Sequence, residues 1–511
     1  MKDWTSGYVT DVGYTFGYCT ELNPTRARLA FINAGLVPPE SGTHCELGFG
    51  QGISANIHAA ACAGTWYATD FNPAQAGFAK SLARASGADA NLYDQAFSEF
   101  CLRDDLPQFD SIGMHGIWSW ISDENRAVIV DFIGRKLKVG GVLYLSYNTQ
   151  PGWATFSPMR HLLTQQAEVM GAAGLGMVKR IDGALDFAEK LLKLDPRYLK
   201  ANPSVMEGLT KAKAKDRHYL AHEYFNHDWQ PMHFATVANW LRPAKIEFAC
   251  SAHYLDHIDL LNLSAEQHAL LNEIPDAMFR QTVRDFMVNQ SFRRDYWVKG
   301  ARQLNPLERF EALGAQRVIL LTPRADILLK ISGELVQATL QEAIYGPILD
   351  VLADHKPHTL AQLELTVREK GIGLAQISQA IIILIGVGYV ATVQEDALIS
   401  NAQVQTRKLN AHLLDKVRGS DEFGYLASPV IGAGFRLDRV QRLFLLAMAQ
   451  GKRQPADWAQ VVWSTLASQG QTLVLDGKTL DSAEDNMAEL IEQARLFDTK
   501  LLPILKALQI A

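Results

Sequence analysis

HCELGFGQG, residues 44–52, is a short apolar run that closes on three glycines set two apart, with a glutamate two positions ahead of the first. A helix-forming stretch, SANIHAAACA, follows it. A strand that hands over to a helix through glycines leaves backbone N–H groups free to face a ligand. The pattern then repeats. TWYATD reads as a strand and NPAQAGFAKSLARASG as a helix closed by glycine. ADANLYD is a third strand, FSEFCLRDD a short helix and FDSIGM a fourth strand. DENRAVIVDFIGRKLKVG is the next helix, and GGVLYLSY a fifth strand. Strands alternating with helices of this length build a parallel α/β sheet with right-handed crossovers. Ligands of such sheets sit at the carboxyl ends of the strands.

Chemistry-bearing residues fall at those ends. Glu46, Gly48, Gly50 and Gly52 close the first strand. Asp70 closes the second, 20 residues after Gly50, where a carboxylate can accept both hydroxyls of a ribose. Asp94 closes the third, placed to meet an adenine amino group. Taken singly, the glycines also read as a tight turn and each aspartate as a helix N-cap. In order at successive strand ends, they point to an adenosine-containing ligand. The spacing is GxGxG rather than GxGxxG, so the ligand is expected to lack a pyrophosphate.

ELGFGQG, ATDFNP and FDSIGMHGIWSW together resemble the class I S-adenosylmethionine-dependent methyltransferases, with their Rossmann-like sheet. YVTDVGYTFGY and ELNPTRARLA ahead of the glycines, HGIWSWIS, SYNTQPGW and HYLAHEYF narrow it. They resemble bacterial methyltransferases with a methyltransferase regulatory domain, of which the rickettsial protein lysine methyltransferases have an assigned activity. The resemblance implies S-adenosyl-L-methionine as cofactor and S-adenosyl-L-homocysteine as product. It implies that Glu46, Gly48, Gly50 and Gly52 line the methionine and ribose part of the cofactor. It gives the ribose to Asp70 and the adenine edge to Asp94 and Gln95, with Tyr14, Phe71 and His115 as further cofactor neighbours. One departure is Leu22-Asn23-Pro24 where the relatives commonly carry Thr-His-Pro, so no histidine contact is carried over there.

Methyl transfer from a sulfonium is an in-line displacement that needs a dry, shaped pocket and an acceptor with a free lone pair. Aromatic faces attract the sulfonium, at about 0.5–2 kcal/mol per contact. Trp118, Trp120, Tyr147 and Trp153 fall at the ends of the fourth and fifth strands. If WSW is extended, Trp118 and Trp120 share a side, and Trp118 is the expected pocket wall beside Tyr147. Core packing is the plainer role for such tryptophans. His115 directly follows the strand, which suits a cofactor contact better than a general base. No NPPY-type motif follows the fourth strand, which disfavours a nucleobase substrate. KAKAKDRHYLAHEYFNHDW (211–229) gathers His218, His222, Glu223 and His227 without HExxH, so no metal site is expected. By the resemblance, His222 and Glu223 belong to a segment that folds over the site on the substrate side.

With 48% hydrophobic and 20% charged residues, the chain has ordinary globular composition and length for several domains. A net charge of −6 recruits neither nucleic acid nor anionic membrane. The first residues lack a signal-peptide pattern, and the longest apolar run, 380–393, is shorter than the ~20 residues of a bilayer crossing. Five scattered cysteines suggest no disulfide framework, and a cytoplasmic protein is expected. Residues 1–151 read as the N-terminal segment and cofactor-binding core. Residues 152–217 read as a helical lid or dimerisation insertion, which leaves a homodimer open. Residues 218–302 complete the core and start the regulatory domain. Within 303–400, VILLTPRADILLKI reads as a β-hairpin and 345–393 as a winged-helix-like unit. That unit carries only Lys356, Arg368 and Lys370 among its more numerous acids, so a protein-facing or intramolecular role is expected. Residues 401–511 read as a C-terminal helical domain. The functional expectation is N-methylation of protein lysine. A small-molecule or glycan acceptor is the alternative within enzymes, and a non-catalytic cofactor-binding scaffold is the alternative outside them.

Overall fold

The computed structural model describes residues 8, 13, 15–62, 64–172, 174–333, 337–475 and 477–511. The five expected strands form, and two more join them: β1 (Thr43–Leu47), β2 (Thr65–Thr69), β3 (Ala90–Tyr93), β4 (Phe109–Met114), β5 (Leu137–Asn148), β6 (Ile246–Ser251) and β7 (Phe292–Lys299). They make one sheet in the order β3-β2-β1-β4-β5-β7-β6, in which only β7 runs antiparallel to its neighbours. The order reverses between β1 and β4, which opens the crevice where ligands of such sheets bind.

Local sequence sets the helices. Before the sheet runs α1 (Pro24–Asn33), capped by the Asn23 side chain. Between the strands run α2 (Ile53–Ala61), α3 (Pro73–Ser86), α4 (Phe97–Phe100) and α5 (Asp123–Lys136). Asn72 caps α3 and left-handed Gly87 ends it, while the Ser122 side chain caps α5. One face of the sheet buries Ile112, Leu143 and Leu145 with Ile129, Phe132 and Ile133 of α5. The other buries Val142, Tyr144, Tyr296 and Val298 with Leu29, Phe31 and Ile32 of α1.

The insertion is helical as expected: α6 (Ser157–Val169), α7 (Met177–Lys193), α8 (Arg197–Ala201) and α9 (Ser204–Lys213). These helices bury their own core of Met159, Leu163, Leu185, Leu192, Val205 and Leu209. Then α10 (Arg217–Tyr224) adds Leu220 and Ala221 to that same core, so the expected boundary after residue 217 falls inside a packed unit. A further helix, α11 (Phe234–Leu241), returns to the sheet.

The expected hairpin over 318–331 does not form. Strand β8 (Arg317–Leu320) lies instead between β11 (His358–Thr359) and β12 (Val390–Thr392), while β9 (Lys330–Ser332) pairs with β10 (Gln337–Thr339). Val318, Ile319 and Leu320 are wholly buried, so β8 needs partners on both edges, and Pro323 with a 3-10 turn turns the chain away. Helices Glu342–Leu352, Leu360–Val367 and Leu374–Gly386 pack beside this sheet. The C-terminal part is helical, led by Asp396–Lys416 against α2 and α3, and it adds a hairpin of β13 (Tyr425–Ser428) and β14 (Ala433–Arg436). Among the described residues, no single helix is long and apolar enough to cross a membrane. The five cysteines are all buried and free.

Candidate active site

Glu46 ends β1 with its side chain 4% exposed, and its Oε2 has no hydrogen-bond partner among the described residues. Burial first, and then the Asp70 carboxylate, push the Glu46 carboxyl up to about 8. Asp70 ends β2. Its Oδ2 accepts the Gly50 N–H at 2.8 Å and its Oδ1 the Asn72 N–H at 3.0 Å. Burial outweighs those two donors and raises Asp70 to about 6. Two desolvated carboxyls thus face one crevice, and each gains from a ligand that donates hydrogen bonds to it.

The glycine loop is pinned to the end of β2 by Gly48 N–H to Thr69 O at 2.8 Å. At Gly48, φ is +75°, and a Cβ would sit 2.4 Å from Ile117 Cδ1, so the turn after β4 closes directly on the loop. At Gly52, the first cap position of α2, φ is +71° and a Cβ would meet the Ala79 Cβ at 2.5 Å. Only glycine fits both the angle and the space there.

His115 follows β4 and is exposed as a residue, but its Nδ1 is turned inward. It lies 2.8 Å from the Tyr144 hydroxyl, 3.1 Å from Cys19 Sγ and 3.3 Å from Ser146 Oγ. Burial holds the imidazole below its usual range, so it is neutral near pH 7. Glu21 stands behind this group, 3.2 Å from Cys19 Sγ and paired with Arg294 at 3.0 Å. Burial alone would raise Glu21, but Arg26, Arg294 and His115 hold it at about 2. Cys19, Glu21 and His115 bring potential ligand atoms within 4.8 Å of one another. The adjacent guanidiniums make this a hydrogen-bonded cluster rather than a seat for a cation. Sequence reading missed Cys19, Glu21, Tyr144, Ser146 and Arg294, since no spacing links them.

The aromatics divide differently from expectation. WSW forms a 3-10 turn, so its two tryptophans diverge. Trp118 is wholly buried in the core against α5 and α11, its ring 6.3 Å from that of Trp240. Trp120 is half-buried and packs on Trp229, which in turn packs on Trp153; Arg160 lies 4.4 Å from the Trp229 ring centre. Tyr147 is buried too, and its hydroxyl donates to Asp295 Oδ2 at 2.9 Å. Arg293 binds that same carboxylate at 2.8 Å and Asp285 at 2.5 Å.

Tyr8 joins the two halves of the site. Its ring centre lies 5.5 Å from that of Phe71, next to Asp70, and 5.5 Å from that of His222 on α10. This brings α10 over the carboxyl ends of the strands. Burial pushes the neighbouring Glu223 up to about 7, against the opposing pull of Lys215. His227 is exposed beside Asp228, away from His222. Asp94 ends β3 as expected, but its exposed carboxylate pairs with Lys80 at 3.0 Å on the protein surface. The Gln95 carbonyl accepts the Thr69 hydroxyl at 2.6 Å. Tyr14 lies outside the described residues.

The strand order, with glycines and acids at the ends of β1 and β2, defines the class I methyltransferase fold. A family profile described as a predicted methyltransferase regulatory domain matches residues 216–299. An uncharacterized Synechocystis protein, sll1526, is 39% identical over 99% of this chain and all of its own length. The uncharacterized Rickettsia prowazekii protein RP789 is 26% identical over 53% of this chain and 48% of its own. Among solved structures, PKMT2 from Rickettsia typhi in complex with AdoHcy superposes with a TM-score of 0.69, covering 98% of this chain and 100% of that one at 18% identity. The chain belongs to the family of the Synechocystis protein, and its residues 216–299 carry the regulatory-domain match.

Proposed function

We propose that this chain is an S-adenosyl-L-methionine-dependent methyltransferase that N-methylates protein lysine. The observation that carries the cofactor is the Glu46–Asp70 pair of desolvated carboxyls across the glycine loop, one of them with an orphaned oxygen. The residues present fit the group: Asp70 keeps a lone pair on each oxygen for ribose hydroxyls, and Glu46 Oε2 awaits a donor. The AdoHcy bound by the R. typhi protein supports the same reading. When bound, S-adenosyl-L-methionine supplies an electrophilic methyl on a sulfonium and leaves as S-adenosyl-L-homocysteine. His115, fixed through Nδ1 by the Tyr144 hydroxyl, keeps Nε2–H for a contact beside that methyl. Asp94 pairs with Lys80 through Oδ1 and keeps Oδ2 for an adenine amino group.

The acceptor amine must lose its proton before its lone pair can attack. Glu223, poised at about 7, is the residue we assign to take it, and Tyr8 and His222 close the site against water. Lysine rests on the resemblance to the rickettsial protein lysine methyltransferases. The unit built on β8, β11 and β12 reads as winged-helix-like. The contact of its helix Leu374–Gly386 with the Tyr254–His257 turn supports an intramolecular role.

The test is a tritiated-methyl assay on host lysate, read before and after protease treatment. Label in protein that appears as methyl-lysine after hydrolysis supports the reading. Label only in a small species or glycan overturns the substrate. No thermal stabilisation by S-adenosyl-L-methionine at 100 times a micromolar affinity, where about 2.7 kcal/mol is expected, overturns the enzyme.

A further inference from the structure

A second cavity, of about 320 Å3, opens at the far edge of the sheet, built almost wholly by residues 248–295. β6 and the start of β7 form its floor; the helices Ala265–Glu273 and Ala277–Met287 and the Tyr254–His257 turn wall it. Three to four strand spacings, ~15–20 Å, separate it from the glycine loop on β1.

Most charges around it are spent on one another. Arg293 binds Asp285, Asp295 and the Gln281 side chain, and Arg294 binds Glu21. Three lining groups keep hydrogen-bonding capacity: Arg280, which gives two N–H groups to the Ile274 carbonyl, and Arg284 and Asp256, which face each other's charge. Arg284 is nine-tenths buried, yet among the described residues its guanidinium gives a single N–H, to the Asp256 carbonyl at 3.3 Å. The Asp256 carboxylate accepts the Ser251 hydroxyl at Oδ2 (2.7 Å), and among the described residues Oδ1 accepts nothing. Unused donors of a buried cation and an unused acceptor of an anion therefore line one small space. Buried polar groups are normally partnered, and a guanidinium is shaped for a carboxylate.

We propose that this cavity binds a free α-amino acid, its carboxylate on Arg284 and its ammonium on Asp256 Oδ1. A zwitterion meets both groups at once, whereas a simple anion would face Asp256 and a simple cation Arg284. The volume suits a ligand of that size, and Phe248, Leu271 and Asn272 are left for its side chain. This site stands apart from the reading of the glycine-loop site and survives its failure.

The experiment is thermal denaturation of the full chain with each of the twenty L-amino acids at 10 mM, with acetate, methylammonium and the N-acetyl amide of any hit as controls. At least one amino acid is expected to raise the midpoint, and none of the controls. By calorimetry, Arg284→Gln and Asp256→Asn should each weaken that amino acid at least tenfold. Asn272→Trp, at an exposed wall position, should block binding without touching either charge, so loss of binding is separable from loss of fold. The proposal is overturned if no amino acid stabilises the protein. It is equally overturned if acetate stabilises it as well and Asp256→Asn keeps the affinity, which would make the cavity an anion site.

Discussion

Glu46→Gln tests the electrostatics of the crevice before any ligand is added. The Glu46 carboxyl moves from 4.5 to about 8 on folding, through burial and then Asp70. Between those two values the folded chain holds a proton that the unfolded chain has released. Stability therefore falls as pH rises: the contribution is complete below 4.5 and is lost progressively through about 8. Linkage over the window from pH 5 to pH 7.5 gives a loss of about 3 kcal/mol in the wild type. Glutamine has no proton to lose, so Glu46→Gln removes this slope while leaving every other titration in place. The stability of the wild type relative to the variant should thus drop by about 3 kcal/mol across that window. Side-by-side thermal denaturation of the ligand-free proteins at half-unit pH steps reads it as several degrees of relative shift. Parallel curves for the two proteins would refute the reasoning, since they would mean that Glu46 is solvated or partnered.

Four further outcomes follow from the geometry. Asp70→Ala strands the Gly50 and Asn72 N–H groups and removes the ribose acceptor, so S-adenosylhomocysteine should bind at least ~1 kcal/mol, about fivefold, more weakly by calorimetry; equal affinity sinks the assignment. Gly48→Ala forces a Cβ into Ile117 at φ +75°, and should abolish measurable cofactor binding while a full far-ultraviolet circular dichroism spectrum remains. Trp118→Ala should cost about 3–5 kcal/mol of stability as a core truncation. Its cofactor affinity, measured in the cold, should be unchanged, and loss of turnover without loss of stability would return Trp118 to the pocket. Glu223→Gln should slow methyl transfer and erase the acid limb of the rate profile near pH 7; an unaltered limb would assign the proton to another group.

The sheet was readable because each strand is an apolar run with a glycine, proline or N-cap residue nearby, and that punctuation is local. Glu46, the glycines and Asp70 were readable for the same reason, since their chemistry sits at fixed short offsets. What escaped is set by distance and by local backbone. Glu21 meets Arg294 across 273 residues and Cys19 meets His115 across 96, and neither pair leaves a mark in its own neighbourhood. Trp118 was assigned to the pocket on the premise of an extended turn; one 3-10 turn rotates it into the core and leaves Trp120 nearer the insertion. Lys80 lies 14 residues before Asp94, and only the packing of α3 beside β3 makes them partners. The hairpin expectation for 318–331 failed because adjacency in sequence was taken for pairing, when the buried β8 takes partners on both sides.

The segment that carries Cys19 is held from opposite ends of the chain. Phe16 packs against Phe78 and Phe423, Tyr18 stacks on His58 and packs against Tyr425, and the Asn23 amide donates to the Ile431 carbonyl, 408 residues away. Three of these partners, Phe423, Tyr425 and Ile431, leave the ribosome long after β5 has been made. A nascent chain can assemble β1 to β5 well before then, yet it lacks the clamp that seats Cys19 and Glu21 beside His115. The segment that places Cys19 and Glu21 beside His115 is thereby completed only once the hairpin of β13 and β14 has emerged and packed against it.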